Sequence, residues 1–342
     1  MRLPPAAPER YRLYGVDALE SRDVGIAHNL EGSVPGWARR ADRLANRHVA
    51  RGGGYGGDFA GVLGSLRRAN RADAILSTVD TVGLPLVLLK RRGLVRPPVV
   101  YVAIGLPERL RTLRGEKAET TFRDALRRTA AVVAYSEFEA ESIRAWLGEG
   151  APTVSFLPFA VDTDFFRPTD RQAATDVLSV GADPRRDFPL LLEVAARRPD
   201  WRVRIVASAE RASELEDAPS NIQIEVDVPL DRVRDRLASA SAVALPVQEN
   251  SYSGATTALL QALATGVPTV VSRTRAIATG YDLVDGENCR LVEPGDADAL
   301  EHALADVLAD PGGMGAAARR TAERFTWERY AETLERILRE TA

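Results

Sequence analysis

The residue types best suited to chemistry gather in two short stretches of the second half. Ser253, Gly254, Ala255, Thr256 and Thr257 stand between an apolar run ending at Val247 and a helix-forming segment that stops at Gly266. Small residues there let a ligand approach the backbone. The free amides of a first helical turn, joined by two threonine hydroxyls, suit an anion. Plain helix capping uses the same residue types, so the stretch alone leaves both readings open. Farther back, the run Asp176–Ala182 reaches Gly181, and a turn presenting Arg185 and Arg186 follows. Solvated turn charge would look the same, but two anion-suited turns at one sheet edge point to a diphosphate. The stretch around Gly254 contains neither GxxxxGK[ST] nor GxGxxG, so it is not a P-loop or a dinucleotide fingerprint.

In the first half, Asp80 and Glu108 follow strand-like runs and are the candidates for acceptor contact or acid–base assistance. The glycine-rich loop Gly52–Gly57 either lines a ligand site or is a flexible connection. Asp162 and Asp164 form a DxD pattern, but in a connector, where a structural part is expected. No His/Asp/Glu cluster has ligand spacing, so no metal is expected. The histidines His28, His48 and His302 read as structural or exposed, with His28 alone ending a strand-like run. The single cysteine, Cys289, excludes an intrachain disulfide and reads as a small buried hydrophobe.

These residues need a scaffold that brings turn after turn to one edge. In the second half DVLSVGA, RVRIVAS, IQIEV, SAVALPV, PTVVS and CRLVE alternate with helical segments, the pattern of a parallel sheet covered on both faces. VGIAHN, DAILSTV, PVVYVAIG and AAVVAYS are the strand candidates of the first half, preceded by a helical PERYRLYGVDALES. The class is α/β. A length of 342 residues favours two domains. The expected division is 1–168, 169–325 and a closing helix at 326–342.

A 45% apolar, 27% charged composition suits a soluble globular chain. No run approaches a membrane span and MRLPPAAPER lacks a signal-peptide core, so a cytoplasmic protein is expected. The net charge of −3 is uneven: residues 1–150 carry 24 Lys/Arg against 17 Asp/Glu, and the rest carry 21 against 31. An anionic partner for the first half, such as a membrane surface met through WARRADRLANRHVAR, is one reading; a solvated arginine-rich helix is the other. No nucleic-acid recognition pattern is visible.

The stretches VLSVGADPRRDFPLLLEV, VALPVQENSYSGATTALLQALATGVPTVVSRT and DGENCRLVEPGDADALEHAL resemble the nucleotide-sugar half of GT-B-fold glycosyltransferases, family 4-like, the glycosyl transferases group 1. AVVAYSEFEAESIRAWLG, the linker VSFLPFAVDTDFFRP and the closing FTWERYAETLERIL extend the resemblance over 125–342. It implies two Rossmann-like domains facing a cleft and a nucleoside-diphosphate-sugar donor held by the C-terminal domain. Retention at the anomeric carbon follows from it too. The acceptor, a small molecule, glycan or lipid phosphate, would lie on the N-terminal side. The resemblance gives Arg186 the diphosphate, Gly254–Thr257 the phosphate oxygens and Gln261 the ribose. No cofactor beyond the donor is implied. This chain departs from the family where two glutamates with seven residues between them are usual: Ser253 and Gln261 stand there. It departs again at the usual histidine, which Ile104 or Gly105 replaces. A non-catalytic nucleotide-sugar-binding subunit, or an epimerase or phosphorylase on the same fold, are the alternatives.

Overall fold

The computed structural model describes residues 15–29, 34–170, 172–252 and 254–341. The chain forms two compact units: one takes Leu19–Leu157 and the chain from Ala331, the other Pro158–Tyr330 and the described residues up to Ala18. The division falls inside helices α1 (Val16–Glu20) and α14 (Trp327–Thr341).

The unit of 19–157 opens with α2 (Gly36–Arg51) and α3 (Phe59–Ala69). Alternation then follows: β1 (Ile75–Ser77), α4 (Asp80–Arg91), β2 (Val99–Ala103), α5 (Leu106–Arg111), α6 (Glu116–Leu126), β3 (Ala131–Ala134), α7 (Glu137–Leu147) and β4 (Thr153–Phe156). The four strands lie parallel in the order β1-β2-β3-β4. Every residue of β2 and β3 is buried, which explains apolar runs without alternation: both sheet faces are covered. VGIAHN does not form a strand; Gly25 interrupts it and no described strand pairs with it. Of the helix expected over PERYRLYGVDALES, only α1 lies within the described residues.

The unit of 158–330 contains β5 (Thr175–Gly181), α8 (Phe188–Arg197), β6 (Val203–Ala207), α9 (Ala209–Ala212), β7 (Ile222–Val226), α10 (Leu230–Leu237), β8 (Ala240–Leu245), α11 (Thr256–Thr265), β9 (Thr269–Ser272), β10 (Arg290–Val292), α12 (Ala297–Ala309) and α13 (Met314–Ala322). Its six strands are parallel in the order β10-β9-β8-β5-β6-β7. The chain winds outward from β5 through β6 and β7, then returns to β8 on the opposite side. The strand order therefore reverses between β5 and β8. In doubly wound sheets that switch point opens a crevice beyond the strand ends, because the two flanking connections leave toward opposite faces.

Candidate functional site

The two anion-suited turns leave the switch-point strands side by side. The β5–α8 turn and the β8–α11 loop are joined by Asp187 N donating to Pro246 O (3.0 Å) and Gln248 N donating to Arg185 O (2.9 Å). Arg186 and Val247 form an antiparallel bridge between those bonds. Asp187 caps α8 by accepting from Leu190 N. At the opposite end of α11, Gly266 at φ 70° supplies the left-handed stop.

Arg186 is 1% exposed. Its Nη2 donates to Val180 O, while Nε and Nη1 have no partner among the described residues. Burial pulls this guanidinium down to about 10, partly opposed by Asp183. Gly181 makes room for it: a Cβ there would stand 2.2 Å from Arg186 Nε. A buried cation with two open donors is the chemistry of an anion seat. Arg185 is half-buried beside it.

At the mouth of α11 no described side chain caps the helix, which leaves donor capacity on its first-turn amides. Ala255 and Thr256 are buried, and Thr256 Oγ1 has no partner among the described residues. Thr257 is exposed. Gln261, 5% exposed, lies on the second turn, and no described residue bonds its side-chain amide. Ser253 lies outside the described residues. Glu249 accepts from Arg275 N at 3.3 Å and Arg275 Nε at 3.4 Å, which turns it toward that arginine.

One group in this crevice has no counterpart in the sequence reading. Asp183 Oδ1 accepts from Arg185 N at 2.7 Å and from the Tyr252 hydroxyl at 2.9 Å. The carboxylate lies against Gly254, where an added Cβ would meet Asp183 Oδ1 at 2.8 Å. Burial raises the Asp183 carboxyl, while the Arg185 amide, Tyr252 and the nearby Arg186 and Arg211 charges oppose the rise. An acid in an Ala-Asp-Pro turn is the only sequence signal it gave.

In the unit of 19–157 a second polar cluster forms at the carboxyl ends of β1, β2 and β3. Asp80 Oδ1 accepts from the Tyr101 hydroxyl (2.5 Å) and Ile104 N (3.1 Å), and Oδ2 from Arg109 Nε (2.8 Å). With its side chain 2% exposed and both oxygens engaged, Asp80 is enclosed by protein groups rather than open to a ligand. Burial raises its carboxyl against these three donors. Tyr101 reaches it because residue 83 is glycine; a Cβ there would stand 2.1 Å from the Tyr101 ring. Glu108 is half-buried in the first turn of α5.

Glu139, which sequence reasoning passed over, is 0% exposed and accepts from Gly105 N (2.7 Å) and Leu106 N (3.1 Å). It thus satisfies the start of α5 after the left-handed Gly105. Burial, then the Asp80 charge, push its carboxyl well above the usual range despite the two amides.

The loop Gly52–Gly57 owes its glycines to the chain itself. A Cβ at Gly53 would meet Thr112 O at 2.1 Å, at Gly56 Asn46 Oδ1 at 1.8 Å and at Gly57 Thr81 O at 2.3 Å. Asp162 accepts from Asp164 N and Phe165 N, closing a turn of the connector. Cys289 is buried, and burial pushes its thiol up to about 12.

Residues 178–310 match the family profile described as Glycosyl transferases group 1. The MMP alpha-(1->4)-mannosyltransferase of Mycolicibacterium hassiacum is 29% identical over 192 residues, which cover 51% of this chain and 45% of that protein. The chain thus spans about half the length of that relative. The GDP-mannose-dependent alpha-(1-6)-phosphatidylinositol dimannoside mannosyltransferase of Mycobacterium tuberculosis is 30% identical over 358 residues, covering 93% of this chain and 90% of that protein. Among solved structures, sucrose-phosphate synthase from Thermosynechococcus elongatus superposes with a TM-score of 0.74 at 15% identity, over 98% of this chain and 93% of that one. That similarity bears on the fold.

Proposed function

Because the chain belongs to the glycosyl transferases group 1, we propose that it moves a sugar from a nucleoside diphosphate to an acceptor, with retention and without a metal. The observation carrying this is the switch-point crevice, where Arg186 keeps two buried donors open and no described side chain caps the α11 start. Preorganised guanidinium, amide and hydroxyl donors stabilise the charge that develops on a leaving diphosphate. Arg186, Gly254–Thr257 and Arg185 hold the diphosphate, Gly181 admits Arg186, and Gln261 meets the ribose. The GDP-mannose dependence in the mycobacterial relative's name supports a nucleoside-diphosphate donor.

The acceptor, whether small molecule, glycan or lipid phosphate, engages the unit of 19–157, where Glu108 is the candidate for acid–base assistance and Asp80 acts through Arg109. A peripheral membrane contact has support in α2. Trp37 (59% exposed) and Leu44 (67% exposed) are seven residues apart and share a face. Arg39, Arg40, Arg43, Arg47 and Arg51, all exposed, lie on the same helix. No described helix is long and apolar enough to cross a membrane.

The test is donor turnover with and without a chelator, alongside calorimetric titration of nucleoside diphosphates. Transfer that survives chelation, with an anomerically retained product, is expected. Strict magnesium or manganese dependence would remove the leaving-group mechanism. Diphosphate binding without turnover of any donor would instead favour a non-catalytic subunit.

A further inference from the structure

Arg109 is held in an unusual way. Only its Nε meets Asp80, at 2.8 Å, and its guanidinium carbon stacks 3.9 Å from the centroid of the Tyr55 ring. The ring is itself pinned, because the Tyr55 hydroxyl lies 3.1 Å from Thr81 Oγ1. Asp80 is fixed in turn by Tyr101 and Ile104 N, so the edge and the face of the guanidinium are both set by the fold. Its bond to a described residue is made through Nε alone, and the side chain is 34% exposed. An arginine serving only as a carboxylate's counter-ion gains most from two parallel bonds through its fork. Here that arrangement is forgone. The fork is left open beyond the strand ends, where ligands of parallel sheets gather.

We propose that Arg109 is the seat of a phosphate group, with its fork taking two phosphate oxygens and the Tyr55–Thr81 hydroxyl pair beside it. Asp80 and Tyr55 are positioning residues that orient the guanidinium before a ligand arrives. Naming the phosphate as part of the acceptor rests on the glycosyltransferase reading; the seat itself does not. Arg111 and Arg114, both exposed, lie two and five residues farther along the chain and add positive charge to this segment.

The experiment is calorimetric titration of the full chain with glycerol 3-phosphate, run in parallel on Arg186→Ala, which lacks the diphosphate ligand of the other unit. Wild type and Arg186→Ala should bind the ester alike, and glycerol should not bind. Arg109→Lys keeps a cation over Asp80 but loses the fork, so it should weaken binding roughly tenfold or more at an unchanged melting temperature. Tyr55→Leu leaves the Asp80–Arg109 pair intact and removes the stacking ring and hydroxyl; it should weaken binding several-fold, and it carries the test if Arg109→Lys fails to fold. Vesicles containing phosphatidic acid separate the sources. Arg109-dependent binding to vesicles alone assigns a lipid headgroup, and to the soluble ester alone a free phosphate. Arg109-dependent binding to neither overturns the proposal. Equal affinity in wild type and both variants, or loss of binding only in Arg186→Ala, overturns it as well. A chain that transfers no sugar yet binds glycerol 3-phosphate through Arg109 would sink the glycosyltransferase reading and leave the phosphate seat standing.

Discussion

Replacing Arg186 with methionine should make the ligand-free protein more stable and the diphosphate-bound protein weaker. The folded state holds this guanidinium at about 10, more than two pH units below its ordinary value. Since the folded form binds the proton less tightly than the unfolded one, the group opposes folding throughout neutral pH. That cost, about 3 kcal/mol, is relieved only as pH rises through about 10. Methionine fills a similar volume without the net desolvation cost, in which the attraction to Asp183 is already included, but gives up the Nη2 bond to Val180 O, about 1–2 kcal/mol. The net gain is about 1–2 kcal/mol, and each kcal/mol raises the melting temperature by roughly 2–4 °C in a unit of this size. Binding moves the other way. A charged hydrogen bond to phosphate contributes about 1.5–3 kcal/mol, so nucleoside diphosphate affinity should fall roughly tenfold to a hundredfold while nucleoside affinity holds. Calorimetric titration and thermal melts with and without diphosphate read both signs on one sample. Arg186→Met that melts below wild type without ligand, or binds the diphosphate equally well, refutes the reasoning.

Three further outcomes concern other residues. Gly181→Ala should weaken diphosphate binding by driving the Arg186 guanidinium from its seat, and titration showing wild-type affinity in a folded variant would contradict the 2.2 Å approach. Asp183→Asn keeps the shape of the turn and removes a negative charge from the crevice, so diphosphate affinity should rise several-fold; unchanged or weaker binding would mean that the carboxylate does not oppose the ligand. Glu139→Gln should matter most at neutral to alkaline pH. With its folded carboxyl raised by burial and by the Asp80 charge, Glu139 contributes stability that is full below the ordinary carboxylate range and lost as pH rises through its folded value. Stability of the variant, followed by chemical denaturation across pH, should therefore fall less steeply than wild type, and parallel profiles would discount this residue.

Much of the fold was written in short-range signals. The six strands of 158–330 were legible because turns and helical periods separate them. VGIAHN misled because an extended apolar segment looks like a strand whether or not another strand lies beside it. The glycines at 181 and 254 and the arginines at 185 and 186 announced themselves by type and position. Asp183, Arg109, Tyr101 and Glu139 did not, since their parts depend on partners 21 to 69 residues away or on burial that no local pattern encodes. The loop Gly52–Gly57 shows the converse. Its composition signals close approach, but the approaching atoms belong to Thr112, Asn46 and Thr81.

Gly83 and Tyr101 bear on how this chain can drift. The ring fills the space a side chain at 83 would need, so the two positions form a ratchet in sequence space. A mutation that enlarges residue 83 first would unseat Tyr101 and strand the Asp80 carboxylate. One that shrinks Tyr101 first opens a void and takes a donor from the same carboxylate, yet leaves residue 83 free to grow. Lineages can leave this arrangement by the second order far more readily than by the first. Related chains with a larger residue at 83 should therefore lack tyrosine at 101, a pairing that a sequence census can check without any protein being made.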